Sequence, residues 1–142
     1  MHWKRARQYQ ALLASGGYQA DDPAWDEENR CWGVQVRFAG AVCFMVLDVD
    51  DPRFIRILLP NFLTVGPGQL GASLIAADLA NKTCKGAKIC LNRQRDDVLA
   101  AVELLEPAAG LEEAAVVRSM QMLLHAAKTY AGQFSEQANI AH

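Results

Sequence analysis

The sequence predicts an α+β fold built on an antiparallel sheet. Three observations carry that prediction. Residues 32–59 contain three strand-like segments joined by short turns, which pair as an antiparallel meander. Helical spacing opens and closes the chain. A further helix and a further strand follow the meander, so strands and helices do not alternate as parallel βαβ units do.

Residues 3–15 place Trp3, Ala6, Tyr9, Leu12 and Leu13 along one helical face, and Gly16 and Gly17 stop that helix. The acidic segment "DDPAWDEEN" reads as a loop. In "CWGVQVRF", Trp32, Val34, Val36 and Phe38 alternate with Gly33, Gln35 and Arg37, the pattern of a half-buried strand. "AVCFMVLDV" is apolar on both faces, which fits a central strand. "DVDDPR" breaks it and "FIRILLP" resumes. A helix is expected over about 68–82, with Leu70, Leu74, Ala77 and Ala80 on one stripe and Ile75 and Leu79 beside it. "KGAKICLNR" reads as a strand. Residues 97–106 remain open: Ala, Leu and Glu favour a helix, while Val98, Ala100, Val102 and Leu104 alternate as in a strand. From Leu111 to Phe134, apolar residues recur at helical spacing opposite Arg118, Gln121, His125 and Lys128. Residues 1–134 are therefore expected to form one α+β domain, with 135–142 a frayed tail.

The chain has 142 residues, 51% hydrophobic and 21% charged, enough for a core without disulfides. Its formal net charge is −2 and it has no long basic run, so no nucleic-acid or membrane partner is expected. No stretch reaches the roughly 18 apolar residues of a membrane span. "MHWKRARQYQALL" is basic but lacks the apolar core of a secretion signal, and the expected location is cytoplasmic. Cys31, Cys43, Cys84 and Cys90 show no C-x-x-C pair and read as small core residues; no metal and no cofactor is expected.

Residues 66–71, "GPGQLG", match the phosphate-binding pattern G-x-G-x-x-G. That reading makes Gly66, Gly68 and Gly71 the loop of an NADP-type nucleotide site, with Arg93 near the 2′-phosphate. Against it, Pro67 has no N–H to offer, Pro60 interrupts the preceding strand, and the antiparallel meander leaves no place for the parallel strands of a βαβ fold. The simpler reading puts Gly66 near a helix N-cap and Pro67 at the first helical position. Asp48, Asp50 and Asp51 suit a turn and lack the glycine and distal glutamate of a calcium loop. No catalytic constellation emerges from the acids or cysteines. Trp3, Trp25 and Trp32 cluster early in the chain; each alone suits the core, and an exposed subset would mark a protein-binding patch.

The element order resembles the type III secretion chaperone-like fold and, within it, the YbjN family of sensory transduction regulators. The likeness is carried by "LIAADLANKTCKGAKICLNRQRDDVLAAVELLEP", by "GLEEAAVVRSMQMLLHAAKTYAGQF" and by "ALLASGGY". It implies a sheet of about five strands in α-β-β-β-α-β-β-α order, with residues 97–106 a strand. It also implies a non-enzymatic, chaperone-like or regulatory module that binds another protein and forms a homodimer. By that analogy the dimer joins through Leu70, Leu74, Ile75, Leu79 and Ile89, and the partner docks through Trp3, Trp25, Trp32 and Ile55.

Overall fold

The computed structural model describes residues 2–140. In chain order they form helix α1 (His2–Ser15), strands β1 (Gln19–Ala20), β2 (Ala24–Asp26), β3 (Cys31–Phe38), β4 (Ala41–Asp48) and β5 (Phe54–Thr64), helix α2 (Leu70–Thr83), strands β6 (Lys88–Asn92) and β7 (Asp97–Leu105), and helix α3 (Glu113–Ile140). The sheet order is β1-β3-β4-β5-β7-β6, with β2 also paired to β3, and every pairing is antiparallel. The α+β class and the chaperone-like order hold. The strand count rises from five to seven because Gln19–Ala20, just after α1, and Ala24–Asp26, in the acidic segment expected to be a loop, both fold back on β3 as very short strands.

The period-2 pattern of β3 dictates the register. Val34 lies opposite Met45, Met45 opposite Ile57, and Ile57 opposite Val102, so one apolar row crosses four strands. Cys43, Leu47, Ile55, Leu59, Val98 and Ala100 fill the rows beside it. The helices close this inner face with Ala6, Tyr9 and Leu13 of α1, Ala76, Ala77 and Ala80 of α2, and Val116, Met120, Leu123 and Tyr130 of α3. Residues 97–105 are a strand despite their helix-favouring composition. Their position between β5 and β6 lets Val98, Ala100 and Val102 bury together, and that packing outweighs intrinsic propensity.

Other expectations need correction. β5 does not end at Pro60 but continues to Thr64 through a register shift between Leu59 and Leu63, where proline's missing donor is tolerated. Asn61 takes φ +51 there, and Phe62 packs edge-on to Tyr130 at 5.7 Å. Of the stripe expected on α2, Ala77 and Ala80 are buried but Leu70 and Leu74 are not; the buried face is completed by Ser73 and Ala76, so the helix buries its small residues. Small side chains let α2 approach α3 closely, and the Ser73 and Tyr130 hydroxyls meet at 2.6 Å in the buried seam. Helix α3 runs to Ile140, six residues past the expected boundary, because nothing from Ser135 to Ile140 breaks a helix; residues 141–142 lie outside the described chain.

Two polar devices hold the layers in place. Asn81 of α2 binds the backbone of Ile89 on the edge strand β6. The Ile89 N–H donates to Oδ1 at 2.7 Å and Nδ2 donates to the Ile89 carbonyl at 3.1 Å. The amide thus replaces a neighbouring strand at that point of the edge. Tyr9 of α1 donates to Glu106 Oε2 at 2.5 Å and accepts the Leu111 N–H at 2.8 Å, while Arg5 reaches Glu106 Oε1 at 2.6 Å. Gly110 (φ +84) closes this loop over the ring, and a Cβ there would sit 3.3 Å from the Tyr9 hydroxyl in a conformation L residues rarely adopt. The cluster ties α1 to the segment between β7 and α3.

Asn81→Ala leaves the Ile89 amide and carbonyl without partners and should lower unfolding stability by about 1–3 kcal/mol in urea denaturation. For Tyr9, burial and then the bond to Glu106 push the phenol up to about 12 from 10.0. Its neutral form is favoured by folding, so its contribution is full below pH 10 and falls as pH rises towards about 12. The stability gap between the wild type and Tyr9→Phe should shrink across that window. A gap constant from pH 9 to pH 12 would contradict this role.

Candidate functional site

The GPGQLG loop is a helix entry. The Gly66 N–H donates to Gln69 Oε1 at 2.7 Å, the Gln69 N–H returns to the Gly66 carbonyl at 3.1 Å, and Gly68 turns the chain at φ +76. Gln69 is the N-cap and α2 starts at Leu70, so Pro67 precedes the helix instead of opening it. A phosphate loop needs a parallel strand before it and free N–H groups facing the ligand. Here β5 is antiparallel to both neighbours, and a side chain already occupies the Gly66 donor. Gly71 has open space where a Cβ would go, so no close approach requires it. Arg93 is exposed in the β6–β7 turn. That turn adjoins the loop, since the Val65 N–H donates to the Asp96 carbonyl at 2.7 Å.

Several other polar groups serve the structure, while the buried Asp97 Oδ1 has no partner among the described residues. Arg5, Tyr9 and Glu106 line a recess with Gln8, Leu12 and Gly110, but Glu106 already accepts from both Arg5 and Tyr9. Asp48 caps the turn by accepting the Asp50 N–H at 2.9 Å. Among the described residues no group of three or more His, Cys, Asp or Glu side chains could hold a metal ion, and no helix is long and apolar enough to cross a membrane. All four cysteines are free thiols. Burial pushes Cys43 up to about 11, which makes it a poor nucleophile, whereas Cys90 is exposed and not a core residue as its apolar surroundings suggested.

The tryptophans gather at one end of the sheet. Trp25 pairs directly with Trp32 across β2–β3, with ring centroids 5.4 Å apart. The same row continues through Leu47, Ile55 and Leu104. The first turn of α1 comes to this end as well, where Arg5 also donates to the Pro52 carbonyl at 3.2 Å. Trp3 and Trp25 are 46% and 38% exposed, and Trp32 is half-buried against the core. Ile55 is fully buried beneath this corner and offers nothing to a partner, because its alternation places it in the inner row. Of the residues expected at a dimer joint, Leu74 and Ile75 are half exposed on α2, Leu70 and Leu79 are partly covered, and Ile89 is buried in the inner face.

The outer face of the sheet was not identified from the sequence. It carries Val42, Phe44 and Val46 on β4, Phe54, Arg56 and Leu58 on β5, and Leu99, Ala101, Glu103 and Leu105 on β7. These are the residues that alternate with the buried rows. None belongs to the core cluster the helices close. Val46, Asp48, Asp51, Phe54, Arg56 and Glu103 line a shallow recess on it. The signal lay in the two-sided apolar run of β4. β4 is the central strand that run predicts, and the helices of the described chain cover only its inner face.

No family model matches the chain, and no curated protein matches it in sequence. Solved structures match in fold. One is an uncharacterised protein from Methanothermobacter thermautotrophicus, 15% identical, with a TM-score of 0.68 over 94% of this chain and 98% of that one. Another is the HopA1–SchA chaperone–effector complex, 16% identical, with a TM-score of 0.54 over 85% of this chain and 88% of that one. A third is YbjN from E. coli, provisionally described as a transcription regulator, 13% identical, with a TM-score of 0.52 over 95% of this chain and 91% of that one. The chain therefore has a YbjN-like, secretion chaperone-like fold.

Proposed function

We propose that this chain is a non-enzymatic protein-binding module, chaperone-like or regulatory, whose partner protein docks on the tryptophan corner. The observation that carries the reading is the exposure of Trp3 and Trp25 at one end of the sheet, with Trp25 braced against Trp32. Rigid aromatic side chains lose little entropy on binding and dominate protein interfaces. Trp25 is further held by its indole N–H, which donates to Glu27 Oε2 at 2.5 Å. The fold supports the same reading, since one structure sharing it is a chaperone bound to an effector. Four free cysteines suit a reducing compartment and agree with a cytoplasmic place of action.

The test is affinity capture of the tagged chain from its own cell extract in moderate salt, in parallel with Trp25→Ala and Trp3→Ala. One dominant protein should be retained by the wild type and reduced by each variant. Equal recovery by all three, or no retained protein, would overturn the proposal. The nucleotide alternative has its own readout. NADPH at 100 times a micromolar dissociation constant would stabilise a true binder by about 2.7 kcal/mol. No shift is expected in thermal unfolding, because the Gly66 donor is already bonded and no parallel strand supports the loop.

A further inference from the structure

We infer that the partner protein docked at the tryptophan corner presents a basic segment, whose lysine and arginine side chains enter an acidic end of the sheet between exposed aromatic rings. The inference rests on the protein-binding reading and names the chemistry of the partner.

The corner lies where the β2–β3 and β4–β5 turns meet. The Val49 N–H donates to the Arg30 carbonyl at 3.2 Å, and Cys31 and Asp48 are register partners, so the two turns run side by side. They carry Asp26, Glu27, Glu28, Asp48, Asp50 and Asp51 against Arg30 and Arg53, a net −4 where the whole chain carries −2. The other charges that reach this end do not neutralise it. Arg5 pairs with Glu106 at 2.6 Å, and Arg56 lies in register with Glu103. Lys4, exposed on the first turn of α1, removes one unit of the excess. Among the described residues, Asp50 alone of the six carboxylates has a cation in ion-pair reach, Arg30 Nε at 3.3 Å.

Aromatic rings stand among these carboxylates. Trp25 is followed by Asp26 and binds Glu27 through its indole N–H. Phe54, 41% exposed, follows the β4–β5 turn and lines the shallow recess of the outer face with Val46, Asp48, Asp51, Arg56 and Glu103. Trp3 comes to the same end, since Arg5 in its helix turn reaches the Pro52 carbonyl. A lysine or arginine side chain suits such a lining along its whole length. Its methylene stem packs on a ring, and its charge is held by a carboxylate and by the ring face.

The same geometry argues against other occupants. Among the described residues no three acidic side chains converge to hold a metal ion, so a divalent cation finds no cage. Nucleic acid and anionic lipid would meet a rim of like charge. Carboxylates spread over two turns instead match cations spaced along a polypeptide. Exposed charges of this kind speed encounter and reject acidic partners.

The experiment is fluorescence anisotropy of a labelled peptide of alternating arginine and leucine, titrated with the full chain, with a glutamate–leucine peptide as the comparison. The arginine peptide should bind and the glutamate peptide should not. Raising salt from about 0.05 M to about 0.3 M should weaken the binding, because the carboxylates are exposed. The double variant Glu28→Gln with Asp51→Asn should bind about three- to tenfold more weakly. Both residues are exposed and neither makes an ion pair among the described residues, so this variant should keep the wild-type circular dichroism. Asp96→Asn with Glu136→Gln removes the same charge at the opposite end of β7 and late in α3, and should bind as the wild type does. No binding of the arginine peptide, equal binding of both peptides, or equal losses in the two double variants would overturn the inference. The capture experiment separates it from the reading it rests on. A captured protein that Trp25→Ala releases but Glu28→Gln with Asp51→Asn retains in full would sink this inference alone. Arginine-peptide binding with no protein captured from the extract would support the chemistry inferred here and sink only the partner proposal.

Discussion

The row Val34, Met45, Ile57 and Val102 crosses four strands, and all three helices pack on its side of the sheet. This one-sided closure is the constraint on which the rest depends. Each strand has two faces, and the described chain supplies helices for one. The inner rows are therefore sealed by Leu13, Met120, Leu123 and Tyr130, all essentially inaccessible, while the outer rows keep whatever the sequence placed there. On β3 the outer positions are Gly33, Gln35 and Arg37, which suit water. On β4 they are Val42, Phe44 and Val46, which do not.

The helices meet that constraint in different ways. α1 reaches the sheet through Ala6, Tyr9 and Leu13, and its angle is held by the Tyr9–Glu106–Arg5 cluster. α2 packs through small residues and anchors the sheet's edge with a single amide. Its large apolar residues, Leu74 and Ile75, are left outward because the buried seam with α3 has room only for alanine and serine. The stripe through Leu70, Leu74, Ala77 and Ala80 is therefore right in its alanines and wrong in its leucines. Close approach of two helices rewards the small side chains.

Much of the fold was legible in the residues. The alternation in 32–38 is a direct record of a two-faced strand, and the spacing in 116–134 is a direct record of a helix with one buried side. What could not be read was pairing. The spacing of Phe54 and Leu105 along the chain says nothing about their being neighbours, because register is set by the whole set of strand contacts. The same is true of Trp25 and Trp32, read as near one another in sequence but joined in space by the turn between β2 and β3. Residues 97–105 show the limit from the other side. Local propensity argued for a helix, and the β5 and β6 neighbours that decide for a strand are not local. Ile55 failed as a surface residue for a simpler reason: in "FIRILLP" the charged Arg56 marks the outer face, so its neighbours on both sides must turn inward.

The motif GPGQLG carries the same lesson into chemistry. Its glycines serve a turn before a helix, and its one well-placed acceptor, the Gln69 side chain, folds back onto the Gly66 amide. Spacing alone gives a backbone the freedom to approach a phosphate; a parallel strand behind it gives the direction. In an antiparallel sheet the strand that enters α2 has β4 on one side and β7 on the other, both running against it, and no crevice opens at its carboxyl end. What the chain offers to other molecules thus lies on its surfaces instead of its loops: an aromatic corner at one end of the sheet, and a broad apolar outer face that the helices leave uncovered.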